Sequence, residues 1–324
     1  MGVLIPPIFL LVWTNYMKIN GYFISVIIAI SAFMVMSAGY ARSDTLDISI
    51  AAKYQAFYKV ENSPLNGREN DRPKLTSAAY ERIMSPLQKN EYLNAYTPEE
   101  LDLLFRAAYG AVFYTLDSKY VADMRIDLAE LHKRGVALDR HYEYLYRSLI
   151  MVRNFDAANS VADEYHFSRE DLPHFDLAGY YGDGPSELTL SPDGKEMMRR
   201  KIVLPPGPQI IVIGHPLCHF SQNASKFIED DIQLRDAFLK HSKWLMPQDG
   251  LLNPDVVGKW NTEHPVSTMT YIFRQSEWPI IDAWSTPNFY FFYDGQLVGR
   301  LTGWPPSGGV GELTVELRKI GLIH

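Results

Sequence analysis

Cys218 is the only cysteine among the 324 residues of this chain. It lies in Ile213-Gly214-His215-Pro216-Leu217-Cys218-His219-Phe220-Ser221, directly after the apolar run 209–214. An apolar strand, a short turn, a cysteine and then a helical pattern form a reactive-thiol arrangement. The strand fixes the turn, and the helix N-terminus stabilises a thiolate. A protonated His219 beside the sulfur would favour the thiolate further; a solvated histidine that starts a helix is the plainer alternative. Ser221 stands three residues after the cysteine, and its hydroxyl can only donate or accept a hydrogen bond. His215, Cys218 and His219 also place three soft or borderline metal ligands within five positions, a set that Cu(I) or Zn could use. The blandest alternative is a buried cysteine that serves as a small hydrophobe.

A second segment belongs with the first. Thr286-Pro287 enters the apolar run 288–293, and Asp294-Gly295 then marks a hairpin turn into 296–303. A proline at a strand start is unremarkable in trans; in cis it makes a tight bend.

The elements that must position these residues follow from periodicity. The run 209–214 reads as a buried strand. A helix runs from about Cys218 to Asp230, and 233–245 continues it or forms a second one. Residues 267–274 are β-rich, and Val310, Leu313, Leu317 and Ile320 space a closing helix. This βα…ββ…α order implies an α/β domain with a mixed central sheet and helices on both faces.

Upstream, 96–168 reads as an all-α region of helical hairpins. Thr97-Pro98-Glu99-Glu100 starts it as N-cap, N1 and N3 residues. Leu101, Leu104, Phe105, Ala108 and Val112 share one face. Val121, Met124, Leu128 and Leu131 repeat the spacing before Gly135 ends that helix. Two further stripes run over 142–152 and 157–165. The hairpins are similar to tetratricopeptide-type repeats, which would imply a peptide-binding groove; a packing module is the plainer alternative. Residues 42–95 are a polar, partly helical lead-in, with helices over 48–60 and 77–84. Residues 169–208 read as a connector, rich in Gly and Pro, within which 187–190, the turn Ser191-Pro192-Asp193-Gly194 and 195–204 suggest a hairpin or a strand-turn-helix.

Strand, cysteine turn, helix, proline-led strand and hairpin together resemble the thioredoxin-fold superfamily over 187–324. The resemblance implies that Cys218 is the nucleophile, that Ser221 stands in the place of the resolving cysteine, and that Thr286 and a cis Pro287, with Pro216, face the substrate. The acid that thioredoxins often bury six residues before the first cysteine is replaced by Val212. A site with one thiol can form a mixed disulfide but cannot resolve it internally. Cys-His-Phe-Ser also resembles the Cys-x-Phe-Ser site of a retention chaperone in the protein disulfide isomerase family, which holds clients through a mixed disulfide. Copper chaperones of this fold use two cysteines and a distant histidine; one cysteine is available here.

Residues 1–41 carry an export signature: an apolar stretch over 22–38 after Lys18, with Gly39-Tyr40-Ala41 as small residues for cleavage. Met17 can serve as the start, leaving 1–16 upstream. A cleaved signal and an uncleaved anchor over 22–39 both fit. Either sends the chain to the periplasm or outside, where disulfides form. The net charge of −7, with no basic block, argues against nucleic acid as a partner. Three functions follow: a monothiol that captures or isomerises cysteine-containing clients and is released by an external thiol, without a cofactor; a redox-inactive adaptor binding through its helices; and a copper or zinc site.

Overall fold

A computed structural model describes residues 49–324, apart from 66, 67, 168–171, 181, 183 and 192. The proposed signal or anchor, including 22–39, lies outside the described residues. Among the described residues no helix is long and apolar enough to cross a membrane.

Seven helices come first: α1 (Ile50–Glu61), α2 (Arg72–Ile83), α3 (Asn90–Leu93), α4 (Pro98–Thr115), α5 (Lys119–Lys133), α6 (Asp139–Met151) and α7 (Phe155–Tyr165). Thr97 and Glu100 close the start of α4 reciprocally: Glu100 N donates to Thr97 Oγ1 at 3.2 Å, and Thr97 N donates to Glu100 Oε2 at 2.9 Å. Gly135 ends α5 with φ +68, a value that only glycine adopts without strain. Helix α2 starts at Arg72, five residues before the sequence pattern suggests. Pro73 sits in its first turn, where a missing N–H costs no helical bond.

The sheet follows, with β1 (His174–Asp176), β2 (Ser186–Leu190), β3 (Glu196–Lys201), β4 (Pro208–Ile213), β5 (Ser242–Met246), β6 (Met269–Ile272), β7 (Asn288–Tyr293) and β8 (Gln296–Thr302). Its order is β1-β3-β2-β6-β5-β4-β7-β8. Helices α8 (His219–Asp230), α9 (Ile232–His241), α10 (Pro254–Glu263) and α11 (Val310–Lys319) complete the chain.

Three expectations are corrected. The stretch 169–208 is part of the sheet and not only a connector: β2 and β3 form the hairpin that 187–204 suggests, and with β1 they extend the sheet at the β6 edge. Its polar alternation reflects a sheet margin, where one face stays wet. The stretch 233–245 is not all helix. Asp231 caps α9 by accepting from Gln233 N and Leu234 N, and the chain leaves α9 at His241 to form β5, with Trp244, Leu245 and Met246 buried. Parallel pairing of β5 with both β4 and β6 overrides the local helical pattern. Finally, α-helices do not cover both faces of the central strands. Ile210 and Val212 point to one face, into a core shared with Ala224, Ile228, Phe238, Trp260, Leu313 and Leu317 of α8–α11. Ile211 and Ile213 point to the other, where Ile202, Trp278, Ile281 and Tyr290 cover them from β3, the 273–287 segment and β7. Handedness explains the asymmetry. Strands β4, β5 and β6 step in one direction, so right-handed crossovers put α8, α9 and α10 on one face. The return from β6 to β7 then runs beneath the other.

The helical region is not a separate domain. Its buried residues and those of the sheet form one continuous core. Arg153, left-handed at φ +59, ends α6 and inserts its guanidinium under the sheet. There it donates to Phe273 O (2.7 Å), Ile272 O (2.9 Å) and, less closely, Ile150 O and Asp249 O. Beside it, the Phe155 and Phe175 rings stack at 3.6 Å.

Candidate functional site: a single thiol beside a cis proline

Strand β4 ends at Ile213, and the turn His215-Pro216-Leu217-Cys218 is closed by Cys218 N donating to His215 O at 2.9 Å. Cys218 is the N-cap residue of α8, partly exposed. The antiparallel register pairs Ile213 with Asn288. This brings the residues just before β7 against the cysteine turn, although they are 68 positions apart in sequence. The Thr286–Pro287 bond is cis, and the Cys218 thiol donates to Thr286 O at 3.3 Å. Asn288, buried, holds this bend by donating to Ser285 O and Ser285 Oγ.

Burial pushes the Cys218 thiol up, but hydrogen bonds outweigh it and hold the pKa below the ordinary cysteine value. They come from the Thr286 side chain, from the backbone and hydroxyl of Ser221, and from the Phe220 backbone. The Thr286 carbonyl acts in the opposite sense, because it accepts only from the protonated thiol. The donors are more numerous, and an anionic sulfur can use all of them, so the downward direction is the better supported.

Ser221 is fully buried and works as the turn's internal bond partner: its Oγ accepts from His215 N at 3.3 Å while its hydroxyl stabilises the sulfur. Pro216 is buried, and its carbonyl accepts from Gln222 Nε2 at 2.7 Å. Val212 is fully buried in apolar core.

His219 is exposed on α8, where its Nε2 accepts from Asn223 Nδ2 at 3.2 Å. The metal expectation fails: His215, Cys218 and His219 do not converge. His215 turns its ring inward to the turn and Asp249, and among the described residues no three His, Cys, Asp or Glu side chains group to hold a metal.

A cleft of about 450 Å³ lies beside the Thr286–Pro287 bend, walled by Phe220, Thr286, Pro287, Leu301, Trp304 and Pro305. A larger hollow, of about 890 Å³, lies over β2, β5 and β6. Cys218 lines neither. Leu217 and Phe220 are exposed around the sulfur, so the rim is apolar.

Three residues that support the site escaped the sequence reading: Asp249, Gln248 and Arg153. All act through backbone or single polar contacts across distant segments, and nothing in their spacing signals it.

No family model matches the chain, and no curated protein does. Among solved structures the chain is similar to a thioredoxin-like protein from Bacteroides caccae ATCC 43185. Identity is 11% and the TM-score 0.27, with 79% of this chain and 91% of that chain covered. Geometry, not that likeness, supports the functional reading that follows.

Proposed function

We propose that this chain is an exported, thioredoxin-like monothiol protein that captures disulfide-bearing client proteins through Cys218. The observation that carries the reading is the sulfur's position. It lies at the N-terminus of α8 within 3.3 Å of the Thr286 carbonyl, with hydrogen-bond donors that favour its anion.

The exchange balances without a cofactor. The Cys218 thiolate attacks one sulfur of a client disulfide. A new Cys218–client S–S bond forms as the client's own S–S bond breaks, and the departing client thiolate takes a proton from water. Ser221 cannot attack the mixed disulfide. Release therefore comes from the client's freed thiolate, which returns a native or rearranged disulfide, or from two equivalents of an external thiol: the first displaces the reduced client and is left bonded to Cys218, and the second frees Cys218 and departs as the external thiol's own disulfide. The first route is isomerisation with no net redox change. The apolar rim of Leu217 and Phe220 suits clients with exposed apolar chain around the disulfide.

Trapping tests the proposal. Wild-type protein incubated with a client protein whose disulfides have been scrambled is quenched in acid and run on a non-reducing gel. Adducts are expected with wild type and absent with Cys218→Ala. Adducts that persist in the variant, or never form with the wild type, refute capture and leave a binding scaffold without thiol chemistry.

A further inference from the structure

His215 Nδ1 is hydrogen-bonded, and its Nε2 lies near a carboxylate. Nδ1 accepts from Leu217 N at 3.1 Å, two residues on, so this nitrogen carries a lone pair and the ring proton sits on Nε2. Nε2 faces Asp249 Oδ2 at 3.4 Å, and the side chain is only 16% exposed. A side-chain acceptor that takes the N–H two residues on is the geometry of an Asx-turn, here built from histidine. The main chain of His215 binds the same turn twice: its carbonyl accepts from Cys218 N, and its N–H donates to Ser221 Oγ.

Asp249 in turn belongs to a loop fastened to the helical layer. Gln248 Nε2 donates to Met151 O at 2.5 Å, and Gln248 Oε1 accepts from Gln275 N at 2.9 Å. Arg153 reaches Asp249 O at 3.5 Å. Gly250 presses on α6 so closely that an added Cβ would meet Arg147 O at 2.9 Å. Asp249 Oδ1 is also occupied, accepting from Leu251 N at 3.1 Å, which aims the other oxygen. The same chemistry recurs in the helical layer. His141 Nδ1 accepts from Leu138 N, and its Nε2 lies 2.8 Å from Asp102 Oδ1.

We propose that His215 is a positioning residue for Cys218, and that Asp249 locks its ring and so ties the geometry of the thiol turn to the docked helical layer. The idea rests on the reading of Cys218 as an attacking thiol. His215 touches neither client nor sulfur; it acts by holding the turn that presents the Phe220 and Ser221 donors to the sulfur. The Asp249 carboxylate fixes the ring proton on Nε2. Without it the ring is free to turn or to carry its proton on Nδ1, and the Leu217 N–H loses its acceptor.

The test is the rate of Cys218 alkylation by iodoacetamide as a function of pH, on the full chain. His215→Leu removes the acceptor at similar volume, and the titration midpoint is expected to rise by ~0.5–1 pH unit toward ~8.5, the value of a free thiol. His215→Asn restores an Asx-turn acceptor and is expected to titrate within ~0.2 unit of wild type, since its Oδ1 can take the same N–H. Asp249→Ala is expected to fall between them. A wild-type midpoint at the ordinary thiol value overturns both this inference and the capture reading. A lowered wild-type midpoint that His215→Leu leaves unmoved overturns this inference alone, as does a His215→Asn variant that behaves like His215→Leu. Circular dichroism melts check folding. If His215→Leu does not fold, Asp249→Ala carries the test, and an unmoved midpoint in it overturns the coupling.

Discussion

Ser221 lies beside the single thiol, and its contribution to that thiol can be worked out. The Ser221 hydroxyl donates to Cys218 Sγ and is itself shielded from water. A hydrogen bond to a charged acceptor contributes ~1.5–3 kcal/mol when buried. Cys218 is partly exposed, so water recovers about half of this when the donor is removed. Ser221→Ala is therefore expected to weaken the thiolate by ~0.7–1.4 kcal/mol, which raises the titration midpoint by ~0.5–1 pH unit at ~1.36 kcal/mol per unit. Below both midpoints the thiolate fraction falls ~3–10-fold. The more basic thiolate is also the better nucleophile, with a Brønsted coefficient of ~0.4–0.5, so the observed alkylation rate falls only ~2–4-fold and the high-pH plateau rises. The sign for stability follows. A thiol with a lowered folded pKa contributes stability above its unfolded value, and that contribution is lost as pH falls through the folded value. Ser221→Ala should thus reduce the gain in melting temperature seen on raising pH toward ~9, relative to wild type. Iodoacetamide rates from pH 5 to 10 read the midpoint directly. A variant profile within ~0.2 unit of wild type would refute the assignment of the hydroxyl as a thiolate donor, because the smallest expected change is larger than that.

Other outcomes follow from the same structure. Ser221→Cys places a second thiol one helical turn from the first, so client adducts should drop as internal attack releases them; undiminished adducts would show that the buried position cannot resolve. Arg153→Met deletes a buried guanidinium that burial has pulled down to about 10, still charged at neutral pH, and leaves the carbonyls of Ile272 and Phe273 without that donor. A loss of ~3–5 kcal/mol is expected in urea unfolding, or ~6–12 °C in melting temperature, and a loss under ~1 kcal/mol would contradict the clamp. At Asp102, burial by itself pushes the carboxyl up, but hydrogen bonds from His141 and Arg140 outweigh it and hold the pKa at about 2. The associated stability is present above ~pH 4 and lost as pH falls through about 2. Asp102→Asn should therefore cost ~1–2 kcal/mol at pH 7 and only a few tenths of that near pH 2, a pattern that paired melts at the two pH values can deny.

Local sequence was sufficient wherever the physics is local. Thr97 and Glu100 cap α4 through atoms three residues apart, and Asp294-Gly295, both at positive φ, turn β7 into β8 without outside help. The placement of Cys218 at the start of α8 was likewise legible, because a strand, a proline turn and an amphipathic helix each leave their own short pattern. Strand β5 was missed because its pairing partners lie about 30 residues away on either side, and cross-strand contacts carry no local period.

What the sequence determined by itself is the inventory: one thiol, a serine three residues after it and an apolar residue six before it. Which side chains act on the thiol was decided by tertiary structure. The register Ile213 to Asn288 brings the Thr286 carbonyl to the sulfur, and the docking of α6 on the 247–252 loop brings Asp249 to His215. A hydrogen bond falls away within a fraction of an ångström and depends on direction. It is set by the final packing of distant segments, which residue order specifies only through the whole fold.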